Sequence, residues 1–210
     1  RQGEVLGFLG PNGAGKTTIV RMLLDFTRPT AGSVSIGGVP STQASARIGV
    51  GYLAENFHIP PYLSGLQYLK RCADLLDVPR SEGDDQCRRT VEMIGMQGRE
   101  HSPAGTYSKG MLQRFALGGA LLGNPRLLIL DEPTSGLDPI GIRQTRELLE
   151  RLKQDGMTIL LNSHLLSEVE KICDTAAIIN RGRLVVKDAI TAITGHGGTL
   201  EDVFLRLVKD

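Results

Sequence analysis

The chain has 210 residues, of which 40 % are hydrophobic and 22 % are charged. These values predict one globular domain with its own apolar core, large enough to carry an inserted lobe. Its 24 basic and 23 acidic residues nearly cancel, and we expect no nucleic-acid partner because nucleic-acid binders present a basic stripe. The longest apolar runs are a handful of residues, such as 127–130, whereas a membrane helix needs about 20. We therefore expect any contact with a membrane to pass through a second protein.

The first 55 residues alternate short apolar runs with glycine-rich turns. Val5–Leu9 predicts a buried strand, and Lys16–Leu24 predicts a helix because its apolar residues recur at helical spacing. Ser33–Ile36 and Gly49–Leu53 predict two short strands around the turn at Gly37-Gly38. Because the chain opens in the middle of a pattern and without Met, we expect strands upstream of residue 1 to be missing from this sequence.

From about residue 56 the pattern changes to helices and loops. One predicted helix has an apolar face formed by Leu66, Leu69, Ala73 and Leu76. A second, shorter helix is predicted around Val91 and Ile94, and the polar run Arg80–Gln86 is predicted to separate the two. We therefore predict a helical subdomain over 56–114, inserted into an α/β core formed by 1–55 and 115–190 and followed by a connector and helix over 191–210.

The α/β pattern resumes after the helical region. Leu127–Leu130 and Thr158–Leu161 predict buried strands, and Asp138-Pro139 predicts the start of a helix that runs to about Gln154. We then predict a short helix over 165–173, a hairpin over 176–186 that turns at 181–182, and a last helix that begins with a capping box at 199–202. Strands that alternate with helices indicate an α/β fold with a mostly parallel sheet. The scattered Cys72, Cys87 and Cys173 predict reduced, partly buried thiols.

A glycine-rich loop follows the first predicted strand. Its residues are Gly10, Pro11, Asn12, Gly13, Ala14, Gly15, Lys16, Thr17 and Thr18. The glycines let backbone N–H groups turn inward around a phosphate, and the N-terminus of the following helix adds its dipole. Lys16 supplies a point charge for the outer phosphates, and the Thr17 hydroxyl is a hard oxygen suited to Mg²⁺. The loop therefore predicts a nucleotide site.

Two carboxylates and a histidine are expected beside this loop. Asp131 and Glu132 directly follow a buried strand, and His164 follows the next one along the chain. Open α/β sheets bind their ligands at the carboxyl ends of the strands. One acid at that edge can hold Mg²⁺ while a second polarises an attacking water, and an imidazole can donate to the γ-phosphate.

The order of the motifs carries a family resemblance. They are GPNGAGKTT (10–18), GYLAE (51–55), YSKGMLQR (107–114), LLILDEP (127–133), SGLD (135–138) and SH (163–164). This series resembles the nucleotide-binding domain of an ABC transporter over essentially the whole chain, and is most similar to the bacterial ABC-2-type exporter ATPases. The resemblance implies a P-loop NTPase (RecA-like) fold: a mostly parallel sheet with an inserted helical subdomain and a short β hairpin.

The resemblance also implies residue roles. Residues 10–18 would bind ATP, with Ser108 and Gly110 of the signature motif 107–114 contributing from a second subunit. Thr17 and Asp131 would hold Mg²⁺, Glu132 would be the catalytic base, His164 the switch histidine, and Asp138 part of the D-loop at the dimer seam.

Two motifs depart from the family pattern. Glu55 stands where the family commonly has a glutamine, and its carboxylate can ligate Mg²⁺ although it adds like-charge repulsion near the γ-phosphate. In the signature motif, Lys109 and Met111 replace a glycine and a glutamine. The aromatic residue that stacks on adenine in this family would precede residue 1.

The resemblance finally implies an assembly. Two ATPase subunits, expected to be identical, would enclose two Mg-ATP and drive an integral membrane permease in a separate chain, at the cytoplasmic face of a bacterial membrane. The alternative is an ABC ATPase that acts on nucleic acid or ribosomes. Only the short segment between Glu55 and Ser108 is available for the coiled coil or zinc motif of that class, and it contains neither heptads nor CxxC.

Overall fold

The fold is described from a computed structural model that covers residues 2–195 and 197–208. The strands are β1 (Val5–Leu9), β2 (Ser35–Ile36), β3 (Val39–Pro40), β4 (Val50–Leu53), β5 (Leu127–Asp131), β6 (Thr158–Asn162), β7 (Thr175–Asn180) and β8 (Arg183–Ala189). The helices are α1 (Lys16–Leu23), α2 (Gly65–Leu75), α3 (Arg80–Met93), α4 (Lys109–Leu121), α5 (Pro139–Gln154), α6 (Leu166–Ile172), α7 (Ile190–Thr194) and α8 (Leu200–Val208). Short 3₁₀ turns occupy Ala44–Arg47 and Ala104–Thr106.

A mostly parallel sheet organises the domain, as predicted. Among the described residues it has six strands in the order β4-β5-β6-β1-β7-β8. Neighbours from β4 to β7 run parallel, and β8 returns antiparallel to β7 as the second arm of a hairpin. Because crossover connections place helices on both faces, the interiors of the central strands β5 and β6 are apolar, and polar side chains stand at their ends.

Strand β5 shows how the sheet is buried on both faces. Leu128, Ile129 and Leu130 are all fully buried. Ile129 packs with Val20 of α1, whereas Leu128 and Leu130 belong to the large core that contains residues of α4 and α5. Successive side chains of a strand point to opposite faces, so an unbroken apolar run is what a strand covered by two layers of helices requires.

The helical region differs from its prediction in two places. The polar run Arg80–Gln86 was expected to separate two helices, but it forms the first half of α3, which is longer than α2. Asp85 pairs with both Arg88 and Arg89 at i+3 and i+4, so charges stabilise the outer face of a helix that shows little apolar periodicity. The prediction for Leu76 was also wrong, since this residue directly follows α2 and is 50 % exposed.

Two glycines inside α4 allow the helices to pack closely. A Cβ at Gly118 would lie 3.0 Å from Thr90 Cγ2 of α3, and a Cβ at Gly119 would lie 3.0 Å from the Tyr68 hydroxyl of α2. A glycine in a helix interior costs about 1 kcal/mol relative to alanine. At these positions the missing side chain lets α2 and α3 approach.

The short strands near residue 37 also differ in part from the prediction. Ser35–Ile36 pairs with Val39–Pro40 across Gly37-Gly38, and both glycines have positive φ. The predicted strand 49–53 does not take part in this hairpin but forms β4, at the edge of the main sheet. Glycines in the left-handed region favour a two-residue turn, so Ile36 pairs directly with Val39 across this turn.

Most remaining elements agree with the sequence, but the predicted connector after 190 begins with a short helix, α7. Asp138 caps α5, with its Oδ1 accepting the Gly141 N–H at 2.7 Å, and Thr199 and Asp202 form reciprocal capping contacts at the start of α8. The cysteines are free thiols: Cys87 and Cys173 are buried and Cys72 is half-buried. Within the described ranges, no helix has both the length and the apolar character to cross a membrane.

Candidate functional site

Several strand ends meet at one edge of the sheet. Phe8 of β1 is in register with Asn162 of β6, and Asn162 is in register with Asp131 of β5. The loops that follow these parallel strands therefore leave the sheet side by side. They carry the glycine-rich segment 10–18, the acids 131–132, and the segment 163–164.

The glycine-rich loop is shaped by backbone conformation and by close contact. Gly13 and Gly15 have φ of 80° and 103°, values that side chains other than glycine rarely adopt. A Cβ at Gly10 would lie 2.4 Å from the carbonyl oxygen of Ile179. These glycines let the loop turn tightly against β7 before α1 begins at Lys16.

Lys16 lies inside its own loop. Its buried Nζ donates to the carbonyl oxygens of Gly10 at 2.6 Å and Pro11 at 3.2 Å. Thr17 and Thr18, in the first turn of α1, are exposed, as are Asn12 and Gly13. The loop thus has a buried ammonium group at its centre and open polar groups at its rim, an arrangement that suits an anion.

The turn of the β7–β8 hairpin hydrogen-bonds to the glycine-rich loop and stabilises it. The Gly182 N–H donates to the Ala14 carbonyl at 3.0 Å, and the Ala14 N–H donates to the Pro11 carbonyl at 3.1 Å. The sequence predicts the turn at 181–182 but gives no sign of this contact, because it depends on the placement of β7 beside β1.

Asp131 ends β5 as a buried carboxylate. The Nδ2 group of Asn162 donates to its Oδ1. Burial raises the pKa of the Asp131 carboxyl, and the negative charge of Glu55 adds to the rise, whereas the Asn162 hydrogen bond and Lys16 lower this pKa. The structure therefore brings Lys16 and Glu55 close enough to Asp131 to influence the pKa of its carboxyl.

Glu132 is held in an unusual backbone conformation. Its φ is 53°, in the left-handed region that non-glycine residues seldom occupy. The Glu132 N–H donates to the Asn162 carbonyl at 2.8 Å, which anchors that conformation. Its Oε2 lies 2.7 Å from Nδ1 of His164 and accepts the His164 N–H at 3.3 Å. Burial raises the pKa of the Glu132 carboxyl, and His164 opposes that rise.

Asn162 is a site residue that the sequence reasoning missed. It accepts from the backbone of Glu132 and donates to the side chain of Asp131, so it contacts both acids. The available signal was an amide at the end of the apolar run 159–161. The predicted strand ended one residue too early to include it.

The signature residues Ser108 and Gly110 lie at the start of α4. Ser108 caps α4, and its Oγ accepts the Met111 N–H at 3.3 Å. Ser108 and Gly110 line a surface cavity of about 420 Å³ whose other lining residues come from 109–114 and 136–144. The Lys109 ammonium covers Gly136, since a Cβ there would lie 2.1 Å from Nζ. Ser108 therefore shares this cavity with the segment before α5, including Asp138.

The oxygens at the sheet edge fit a magnesium ion. Asp131 offers a carboxylate and Thr17 an exposed hydroxyl, and the Asn162 Oδ1 is buried without a hydrogen-bond partner among the described residues. No cluster of three or more His, Cys, Asp or Glu side chains in residues 2–195 and 197–208 could hold a metal alone. Mg²⁺ usually takes only one or two carboxylates and completes its shell with water and phosphate.

A family comparison agrees with this arrangement. The family model described as "ABC transporter" matches residues 1–135, more than half of the 210 residues. The chain belongs to the ABC transporter family. The structure accordingly has the P-loop NTPase fold of an ABC ATP-binding domain, with Lys16 in the phosphate loop and Asp131 and Glu132 at the end of β5.

Curated relatives of this ABC domain are bacterial ATP-binding proteins. The uncharacterized ABC transporter ATP-binding protein all4389 of Nostoc sp. is 42 % identical over 200 residues, covering 94 % of this chain and 60 % of the relative. The bacitracin transport ATP-binding protein BcrA of Bacillus licheniformis is 39 % identical, covering 88 % and 60 %. The lantibiotic transport ATP-binding protein SrtF of Streptococcus pyogenes is 36 % identical, covering 89 % and 79 %. The chain spans about 60 % of the length of the first of these relatives.

Solved ABC structures share the fold. An ATP-binding subunit of an ABC transporter superposes with a TM-score of 0.86 at 28 % identity, covering 98 % of this chain and 88 % of that one. The ATP-binding cassette MJ0796, a dimer in a post-hydrolysis state with ADP and Pi, gives a TM-score of 0.79 at 21 % identity, covering 90 % and 86 %. This confirms the predicted fold class.

Proposed function

We propose that this ABC domain binds and hydrolyses ATP as one of two subunits that together drive a separate membrane permease, in the direction of export. The observation that carries the proposal is the division of the site into two surfaces. The Lys16 loop, Asp131, Glu132 and His164 share one sheet edge, whereas Ser108 faces the D-loop cavity. A complete ATP site then needs one surface from each of two copies.

The phosphate loop supports ATP binding with groups of its own. Lys16 donates to the Gly10 and Pro11 carbonyls in this structure. When phosphate enters, the ammonium group exchanges these neutral acceptors for charged oxygens, which accept stronger hydrogen bonds. The Mg²⁺ that accompanies ATP neutralises phosphate charge, with Thr17 and Asp131 as its proposed protein ligands and Glu55 close by.

Glu132 and His164 support hydrolysis as well as binding. Glu132 takes a proton from the attacking water as general base, a role that a buried carboxylate with a raised pKa can fill. His164 Nδ1 holds that carboxylate at 2.7 Å. A neutral imidazole donates from one nitrogen only, so His164 must release Glu132 or gain a proton before its other nitrogen donates to a phosphate oxygen.

The second subunit supplies the signature surface. Ser108 offers a hydroxyl and the first N–H groups of α4, the kind of helix start that binds anions. Asp138, at the start of α5, would lie at the seam between the two copies. ATP binding would close the dimer and hydrolysis would reopen it, which couples the nucleotide state to the shape of the permease.

A groove beside Glu55 is the proposed contact with the permease. Its volume is about 330 Å³, and its largely apolar walls come from β4, α2, α4 and the segment after Leu53. Leu75 and Leu76, at the end of α2, line the groove and are 85 % and 50 % exposed. A short helix of a membrane protein could bury this surface near the phosphate site.

Export is proposed from the relatives named for bacitracin and lantibiotic transport. Membrane attachment would then be peripheral, through the permease at the cytoplasmic face.

The test is affinity purification of the intact subunit from detergent-solubilised bacterial membranes. We expect an integral membrane protein to co-purify and to stimulate ATP hydrolysis. Co-purification with ribosomes or nucleic acid instead would favour the other class of ABC ATPase.

A further inference from the structure

Asn162 joins the two acids of the site. It is the last residue of β6 and is only 2 % exposed. Its side-chain Nδ2 donates to Asp131 Oδ1, and its carbonyl oxygen accepts the Glu132 N–H at 2.8 Å. One residue therefore fixes the carboxylate of one acid and the backbone of the next.

The orientation of the Asn162 amide follows from charge. If the amide were turned over, its Oδ1 would face the carboxylate oxygen of Asp131, and two acceptors would meet. With Nδ2 toward Asp131, the amide Oδ1 is buried without a hydrogen-bond partner in the part of the chain that the structure describes. Such an orphaned acceptor costs about 1–3 kcal/mol.

Folding accounts for the Asn162 Nδ2 group, which pairs with the buried Asp131 carboxylate, but it gives no reason for the buried Oδ1. The neighbours Ile159 and Leu161 of the same strand are apolar and buried, and no described group donates to this oxygen. A water held by a metal ion is a donor that could satisfy the orphaned oxygen, and the adjacent carboxylate is the proposed ligand of that ion.

We propose that Asn162 is a positioning residue for the magnesium site: Nδ2 orients the Asp131 carboxylate toward the ion, and Oδ1 accepts a hydrogen bond from a water in its shell. This inference rests on the proposed function, because it assumes Mg-nucleotide binding beside Asp131. Partners that orient metal ligands typically change metal affinity by 10- to 100-fold when they are removed.

The test compares Asn162→Leu with the parent and with Asn180→Leu. Asn180 ends β7 in the same sheet and lies outside the proposed metal site, so it is a matched control. Mn²⁺ binding to the ADP complex of the intact subunit is measured by electron paramagnetic resonance, and ADP affinity is measured separately in EDTA. Melting temperatures without nucleotide report on the fold.

We expect Asn162→Leu to weaken Mn²⁺ binding about tenfold or more, with unchanged ADP affinity in EDTA. The melting temperature should fall, because the buried Asp131 carboxylate loses its hydrogen-bond donor. Asn180→Leu should bind Mn²⁺ like the parent. Parent-like Mn²⁺ affinity in Asn162→Leu would overturn the inference, and so would an equal loss of ADP affinity in EDTA, which would reveal a general distortion. If Asn162→Leu does not fold, Asn162→Ser is compared in the same way, with the same two outcomes. A parent protein that binds neither ADP nor Mn²⁺ would instead count against the proposed function itself.

Discussion

His164 Nδ1 lies 2.7 Å from Glu132 Oε2. The two residues come from neighbouring strand ends, and they differ in exposure: the His164 side chain is 58 % exposed and that of Glu132 is 10 % exposed. A nearly buried carboxylate is therefore held by a histidine that solvent, nucleotide or a second subunit can reach. Any ligand that draws His164 away changes the environment of Glu132 directly.

Glu132→Gln should separate ATP binding from turnover. Glutamine keeps an acceptor for His164 but cannot take a proton from water, and loss of a general base typically slows a reaction about 10²- to 10⁴-fold. We expect ATP affinity close to that of the parent, turnover reduced at least about 100-fold, and an ATP-dependent dimer visible by light scattering. Glu147→Gln, on the outer face of α5, is the control. A Glu132→Gln variant that hydrolyses ATP at the parent rate would remove Glu132 from the role of base.

The same substitution predicts a pH-dependent change in stability. Because the pKa of Glu132 is raised in the folded protein from its ordinary value of 4.5, the folded state holds a proton more tightly than the unfolded state. Stability from this group is then full below pH 4.5 and is lost as pH rises through the folded-state pKa. We expect Glu132→Gln to melt above the parent at pH 8, with a gap that narrows as pH falls toward 5. Calorimetry that finds a pH-independent gap would contradict the burial argument.

Lys16→Ala should abolish tight ATP binding. The substitution removes the buried ammonium group from the loop centre, and a charged hydrogen bond contributes roughly 1.5–3 kcal/mol or about tenfold or more in affinity. Lys70→Ala is the control, because Lys70 pairs with Asp84 on the helical lobe. Titration calorimetry with ATP is the measurement. Unchanged ATP affinity would contradict the assignment of the phosphate loop.

Two helical glycines should respond to alanine in opposite ways. A Cβ at Gly65 would lie 2.2 Å from the Phe115 ring, whereas a Cβ at Gly83 meets no described heavy atom within 4 Å. Gly65→Ala should lower the free energy of unfolding by about 1–3 kcal/mol through overpacking. Gly83→Ala should raise it by roughly 0.5–1 kcal/mol through helix propensity. Urea unfolding of both variants measures the difference, and equal effects would contradict the packing described for α2 and α4.

Local features of the site were predictable from the sequence. The phosphate loop needs only a strand, a glycine-rich turn and a helix in succession, and β1, residues 10–15 and α1 supply them. Likewise, the Asp138 cap depends on residues three positions apart. Signals of this kind lie within one short segment and do not depend on how the sheet is ordered.

Contacts that depend on strand order were not predictable. The Asn162–Asp131 hydrogen bond joins residues 31 positions apart, and it exists because β5 and β6 are neighbours in the sheet. The Gly182–Ala14 contact similarly requires β7 beside β1. The first half of α3 was missed for another reason: its charged residues form pairs at i+3 and i+4 and leave little apolar periodicity.

Ser108 is proposed to complete the ATP site of a second copy, and mixed dimers test this directly. Two inactive variants, both carrying Glu132→Gln to trap ATP, are mixed: one has Lys16→Ala and the other has Ser108→Arg. A dimer of either variant alone contains no complete ATP site. In the mixed dimer, Lys16 of one copy meets Ser108 of the other, which restores one site.

The measurement is the amount of ATP trapped per mixed dimer, isolated through two different affinity tags. We expect one ATP per mixed dimer and none in either variant alone. If the mixture traps none, or if the Ser108→Arg variant alone traps ATP as the Glu132→Gln parent does, then Ser108 does not act across a dimer seam and the claim is wrong.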